Sequence, residues 1–283
     1  MSESQPLDGL RVDFKQACQV VHLLCEGMGI RAIERFTRLN RRTVLGILES
    51  AGEKCSRLLD EKVQGVKAEL VQVDELVSFV GIKQANAPED SQELGSMFTY
   101  LSVDRASKLI INCHTSKRTK ADTEGFLHSL KRRVQAPFQL TTDGWIGYAG
   151  YNGMVRRVFG ETIDYATETK RFANHNNAFT VRYQRPQLIA IKKRVRIGEP
   201  DLKMATICHA ERTNLSVRLF SRRFTRLTLG YSKKLENLRH AVALFVAHFN
   251  FCRVHSAHGK TPAHAAGLTH GAWTIEELLA STN

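Results

Sequence analysis

Three acidic residues, Asp74, Asp143 and Glu211, stand out among the 28 in this 283-residue chain. Core packing does not explain where they sit. Asp74 closes an alternating segment, VKAELVQVD, that reads as a strand; Asp143 closes a second one, PFQLTTD, next to Gly144; Glu211 falls in a helical run. A buried carboxylate without a partner is costly, so positions of this kind call for a cation. Carboxylate oxygens suit Mg²⁺ or Mn²⁺. Two such ions, roughly 3.5–4 Å apart, suit phosphoryl transfer: one activates the attacking water or 3′ hydroxyl and the other stabilises the leaving 3′ oxygen. The expected catalytic and metal-ligating set is therefore Asp74, Asp143 and Glu211, holding two ions. Two neighbours are decoys. Asp104 also ends a strand-like run, but DRASK has the make-up of a hairpin turn, and Glu75 should face the opposite side of the strand from Asp74.

The helix around Glu211 adds context. Asn214 and Arg218 follow at i+3 and i+7, on the same face, so an acid, an amide and a guanidinium share one stripe. Arg222, Arg223 and Arg226 continue the basic series. The chain carries a net charge of +13, and residues 170–234 alone hold 16 Lys/Arg against three acids, an excess equal to that of the whole chain. So much positive charge beside a proposed metal site points to a nucleic-acid partner tracked through its phosphates. Lys192, Lys193, Arg194, Arg196, Asn214, Arg218 and Arg222 are the expected DNA contacts of this region.

The elements that position these residues fall into two expected domains, 1–65 and 66–283. The first reads as all helical: a helix from Asp13, a short helix IRAIERF, the turn TRLN, and a long helix from Arg41 with Asn40 as its N-cap. This is the helix-turn-helix pattern, with Arg41, Arg42 and Thr43 placed to meet DNA; an ordinary helical hairpin fits the same residues. The second reads as α/β with a mixed sheet: the Asp74 strand, a hairpin turning at Asp104–Ser107, a helix capped by Thr119 or Asp122, the Asp143 strand, and VRRVFGETID as a further strand. Residues 168–203 lack clear periodicity apart from LIAIKKRVRI and read as a basic insert. A helix of some 25 residues from Ala205 and another across 233–255 follow, then a C-terminal tail with a last short helix.

No stretch approaches the roughly 18 consecutive apolar residues of a membrane span. Met1–Gly9 is polar and acidic rather than basic then apolar, so no secretory signal and a cytoplasmic location are expected. The six cysteines form no CxxC pair and read as buried small hydrophobes. A zinc site from His255 and His258 at i+3 is an open alternative to plain surface histidines.

VDELVSFVG, TDGWIGY and HAERTNLSVRLFSRRFTRLTLGYSKK, taken in this order over roughly residues 70–250, resemble the insertion-sequence-one family of bacterial DDE transposases. FNFCRVHSAHGKTPAHAAGL is similar to the ending of many DDE transposases and integrases. The resemblance implies an RNase H-like catalytic core preceded by a helix-turn-helix domain. It implies that Asp74, Asp143 and Glu211 form the metal-binding triad, with Asn214 and Arg218 supporting the site or the DNA. Residues 13–51 would recognise terminal inverted repeats, and the chain would act on transposon ends and target DNA as a homo-oligomer, at least a dimer. Two other readings stay open on the residues: a metal-dependent nuclease that does not join strands, and a DNA-binding regulator, or domesticated transposase, without strand transfer.

Overall fold

The computed structural model describes residue 7 and residues 11–149, 153–173, 187–226 and 228–281. Three helices open the chain: α1 (Phe14–Cys25), α2 (Ile30–Thr37) and α3 (Arg41–Lys62). Asn40 caps α3, its side chain accepting from the Arg42 amide at 2.9 Å, as its type and position predict. Arg38, in the left-handed region, turns the chain between α2 and α3. α3 lies along a later helix, α8 (Leu235–Ala247), and its buried side chains merge with the core of the sheet.

Six strands form one mixed sheet: β1 (Leu70–Val80), β2 (Gly95–Asp104), β3 (Ile110–Ser116), β4 (Gln139–Thr142), β5 (Asp164–Phe172) and β6 (Leu188–Ile197), in the order β3-β2-β1-β4-β5-β6. β1–β2, β2–β3 and β5–β6 pair antiparallel, whereas β1–β4 and β4–β5 are parallel. Parallel neighbours need crossovers. α4 (Lys120–Arg133) carries the chain from β3 to β4, and α5 (Ile146–Ala149) with α6 (Met154–Phe159) carries it from β4 to β5. Thr119 and Asp122 cap α4 together in a capping box. α7 (Cys208–Phe220) packs on β1 and β2. Short helices α9 (Pro262–Ala265) and α10 (Ile275–Ala280) end the chain. The fold is thus mixed α/β, as the periodicity implies.

Local differences from the sequence expectations have physical causes. Val155–Phe159, expected in a strand, is helical: Met154, Val155, Val158 and Phe159 are buried at helical spacing, and Gly160, at φ 61°, stops the helix. β5 runs from Asp164 into the segment lacking periodicity and pairs there with β6, the strand expected at LIAIKKRVRI. Most of β6 is exposed on both faces, so it has no buried side to impress a pattern of two. The long helix expected from Ala205 stops at Phe220. Ser221 turns extended there, which lets Phe224 bury its ring while Leu219 stays 67% exposed. Asp104 serves the hairpin turn, accepting from the Ser107 amide at 2.8 Å. Of the cysteines, Cys208 is exposed rather than buried, and Cys113 and Cys252 are half-buried. His258 is tied through Nε2 to the Ser107 carbonyl at 2.9 Å. Among the described residues, no helix is long and apolar enough to cross a membrane.

After α8 the helix widens into a π turn over His248–Cys252. Its Asn250 carboxamide accepts from the Ile110 amide at 3.0 Å and donates to the Ile110 carbonyl at 2.8 Å, clamping the C-terminal helices to the edge strand β3. The α3–α8 contact is tighter still. A Cβ on Gly52 would lie 2.4 Å from the His240 Cβ and 2.6 Å from its Cα, so only glycine lets the helices approach. Gly52→Ala is therefore expected to lower stability by about 1–3 kcal/mol in urea denaturation, the usual cost of overpacking. Burial pushes His248 from 6.5 down to about 4, helped by Arg253 and His22. Between these values the unfolded chain binds more protons than the native one, so this contribution to stability is complete above pH 6.5 and lost as pH falls toward 4. His248→Gln should flatten the melting temperature against pH across that window.

Candidate active site

β1 and β4 pair at an offset that sets Gln72 against Thr141. Two residues further along the same offset, Asp74 stands beside Asp143. Parallel pairing ends at Gln72, because β4 stops at Thr142 while β1 runs on to Val80. Asp74 is thus inside its own strand rather than at its end; what ends is its neighbour. β4 and β5 pair Thr142 with Thr167, and one residue on, Asp143 stands beside Glu168. Asp74 in β1, Asp143 just past the end of β4 and Glu168 in β5 therefore make one row across the sheet. Glu168 has no counterpart in the sequence expectations.

Glu211 comes to this row from α7. Gln72 is buried and points to the same face as Asp74, two residues away. Its Oε1 accepts from the His209 amide at 2.9 Å and the Ala210 amide at 3.1 Å, pinning the first turn of α7 to β1. Glu211 lies in that first turn, where the helix dipole favours an acid. One turn on, the buried Asn214 donates through Nδ2 to Asp74 Oδ2 at 2.7 Å. Asp74, Asp143, Glu168 and Glu211 line one cleft of about 330 Å³ with Gly144, Trp145 and Lys170. A Cβ on Gly144 would meet the Thr169 hydroxyl, so any side chain where the chain leaves Asp143 would have to turn that hydroxyl aside.

The electrostatics of the cleft are those of crowded anions. Asp74 is pushed from 3.8 up to about 6, first by desolvation, then by the charges of Asp143 and Glu211; hydrogen bonds from the Glu75 backbone and Asn214 oppose this. Lys170 supplies a counter-charge, its Nζ paired with Glu211 Oε2 and 3.7 Å from Glu168 Oε1. The donor set fits a hard divalent ion: carboxylate oxygens, together with a buried Asn214 Oδ1 that has no partner among the described residues. No three His, Cys, Asp or Glu side chains among the described residues close a cage around one ion, at the acids or at His255 and His258. Mg²⁺ ordinarily takes one or two carboxylates and completes its shell with water and substrate phosphate, so a set of facing acids is the donor arrangement it uses.

Glu75 is no bystander. It faces away from Asp74, as strand alternation predicts, into a buried network. Arg118 Nε lies 2.7 Å from Glu75 Oε2, and Tyr148 donates to Glu75 Oε1 at 2.7 Å. The same guanidinium stacks 4.1 Å from the Trp145 ring, and the Trp145 amide donates to Asp143 Oδ1 at 3.0 Å. A chain of contacts thus runs from Glu75 through Arg118 and Trp145 to Asp143. Burial raises Glu75 to about 7, against the pull of Tyr148 and Arg118. Nothing in local sequence marks this network, because Glu75, Arg118 and Tyr148 come from three distant segments.

The expected DNA contacts are placed variously. Arg41, Arg42, Lys192, Arg194 and Arg222 are exposed; Thr43, Lys193, Arg196 and Arg218 are half-buried; Asn214 is buried against Asp74. Lys193 donates to the Leu202 carbonyl at 2.9 Å, and Arg196 Nε to Thr167 Oγ1 at 3.3 Å, so both also brace β6.

No protein-family model matches the sequence, and no curated protein matches it. Among solved structures the chain is similar to a piggyBac transposase synaptic complex with hairpin DNA, at 8% identity and a TM-score of 0.41, over 94% of this chain and 68% of that one. A superposition this loose fixes neither fold family nor activity.

Removing Arg118 alone leaves Glu75 buried without its cation, whereas removing both partners does not. Arg118→Met should therefore cost roughly 3–5 kcal/mol at pH 8, and Glu75→Gln with Arg118→Met appreciably less. A double-mutant cycle by urea denaturation reads the difference; equal losses in the single and double variants would refute the coupling.

Proposed function

We propose that this chain is a DDE transposase with an RNase H-like core, cutting DNA at transposon ends and joining the freed 3′ ends to target DNA. The observation that carries this reading is the row of Asp74, in β1, and Asp143, just past the end of the parallel neighbour β4, with Glu211 held over it by α7. A structural role accounts poorly for it. Four acids crowd one cleft, one of them pushed up to about 6, and the nearby cation, Lys170, serves only the Glu168–Glu211 side. When bound, two Mg²⁺ or Mn²⁺ ions would polarise the phosphodiester and the attacking oxygen. Asp74, Asp143 and Glu211 would hold them.

The other residues have roles that follow from their contacts. Asn214 orients Asp74 through its amide. Arg218, on the same helix face and close enough to feel the charge of Asp74, faces a DNA phosphate entering the cleft. Trp145, stacked on Arg118, holds the loop that presents Asp143. α2 and α3 act as a helix-turn-helix, with Arg41, Arg42 and Thr43 at the capped start of the recognition helix reading the terminal inverted repeats. Lys192, Arg194 and Arg222 track phosphates along the exposed basic surface. Since two ends must be cut together, the working form is a homo-oligomer of at least two chains on DNA.

Duplexes carrying the DNA that flanks the coding sequence, incubated with Mg²⁺ or Mn²⁺, test this directly. The wild type is expected to nick and join them. Asp74→Asn, Asp143→Asn and Glu211→Gln should each lose on the order of 10³-fold in cleavage, as removal of a metal ligand that supplies several kcal/mol implies. DNA affinity in a gel-shift assay should change little. Undiminished strand transfer by Asp74→Asn would end the assignment.

A further inference from the structure

A second cavity, of about 770 Å³, shares no lining residue with the acidic cleft. It opens between the α1–α2 turn, the first half of α3, the stretch after α7 and the start of α8. Leu24, Leu45, Phe220, Leu244 and Phe245 form an apolar wall. Arg31, Arg41, Arg222, Arg223, Lys233 and Lys234 also line it, and the one acid among the described lining residues, Glu49, is already engaged by Asn237 Nδ2 at 3.0 Å.

Arg223 is the informative member. Half-buried, it lines the cavity with part of its side chain, while its Nη2 lies buried behind with no hydrogen-bond partner among the described residues. Burial lowers this guanidinium from 12.5 to about 10, so it stays charged at neutral pH. A buried guanidinium nitrogen without an acceptor is costly to keep, and an anion bound to the same guanidinium offsets that cost. Neither the acidic cleft nor the helix-turn-helix reading gives Arg223 a task.

We propose that this cavity binds a nucleotide, with its phosphate on Arg223 and its base against the apolar wall. Arginine's planar fork matches phosphate geometry. The volume falls in the range of pockets that enclose small ligands. A fatty carboxylate would also satisfy Arg223, but it would leave the five other cations facing no charge; a phosphate ester within a strand uses them. The shared chemistry is a phosphate ester bearing a base, supplied either by a free nucleotide or by one residue of a DNA strand. The choice of a nucleotide over other amphipathic anions rests on the DNA reading above. Arg41, at the start of α3, and Phe220, at the end of α7, both line this cavity, so occupancy would tie bound DNA to the one helix that presents Glu211 and Arg218.

The test is calorimetric titration of the full chain, in EDTA, with deoxyadenosine monophosphate, with a short single-stranded oligonucleotide, and with octanoate. Saturable binding of the nucleotide or the oligonucleotide is expected, and which of the two binds tells the source. Arg223→Gln should weaken it at least tenfold. Leu45→Trp, which fills the cavity from α3 without removing charge, should do the same, so the result does not hang on one variant folding. The proposal is overturned if neither ligand binds the wild type, if both variants bind normally, or if octanoate binds more tightly than the nucleotide. Metal-free nucleotide binding without Mg²⁺-dependent cleavage would sink the transposase reading and support this one; cleavage without nucleotide binding would do the reverse.

Discussion

The site depends on one side-chain amide. Gln72 is buried in β1, and its Oε1 takes two amides from the first turn of α7. The first turn of a helix offers amides that no carbonyl of the helix can satisfy. A strand side chain that accepts two of them fixes the helix in translation and rotation at once. With that turn pinned, Glu211 and Asn214 have no freedom to face elsewhere: one meets the row of acids and the other bonds Asp74 directly. Without this contact α7 could still bury Ala210 and Val217 against the sheet. Apolar packing tolerates small slides, however, and a site of facing carboxylates does not.

How much of this was legible in the sequence follows from the range of each signal. The acids were readable as types next to strand patterns, and the Glu211–Asn214–Arg218 stripe was readable because helix phase is local. The neighbour relation between Asp74 and Asp143 was not. It arises from a pairing offset between strands about 70 positions apart, which no local pattern encodes. Glu168 stayed hidden for the same reason, since it belongs to the row only through β4. Gln72 and Asn250, the two amides that clamp distant elements, look like unremarkable polar residues until their partners are known. At Met154–Phe159 two valines and a phenylalanine favour a strand, whereas burial at helical spacing decides for a helix.

Charge is organised on two scales. Over the chain, an excess of +13 gathers between residues 170 and 234, a field suited to drawing in a polyanion. Within the cleft the sign reverses, and Asp74 carries the cost as a raised pKa. A polyanion steered by the outer field would meet a negative cleft, and the two are incompatible unless cations stand between them. That need is the strongest physical reason for reading the acids as ligands rather than as stray surface charge.

Asp74 and Glu75 make the same point within two adjacent residues. Both are pushed upward by burial, to about 6 and about 7. Glu75 has a guanidinium at 2.7 Å and a phenol hydroxyl at 2.7 Å, so the fold itself supplies its counter-charge. Asp74 has a neutral amide, and Arg218 acts on it only through space. If both acids were structural, the economical arrangement would satisfy both from within. Instead the built-in cation stands on the face where only positioning is needed. The face that opens into the cleft keeps three acids around Asp74, and the ammonium of Lys170 answers to Glu168 and Glu211 rather than to it. A carboxylate left short of charge beside other carboxylates, in a protein rich in arginine, is what the proposed role as a metal ligand requires and what a structural role leaves unexplained.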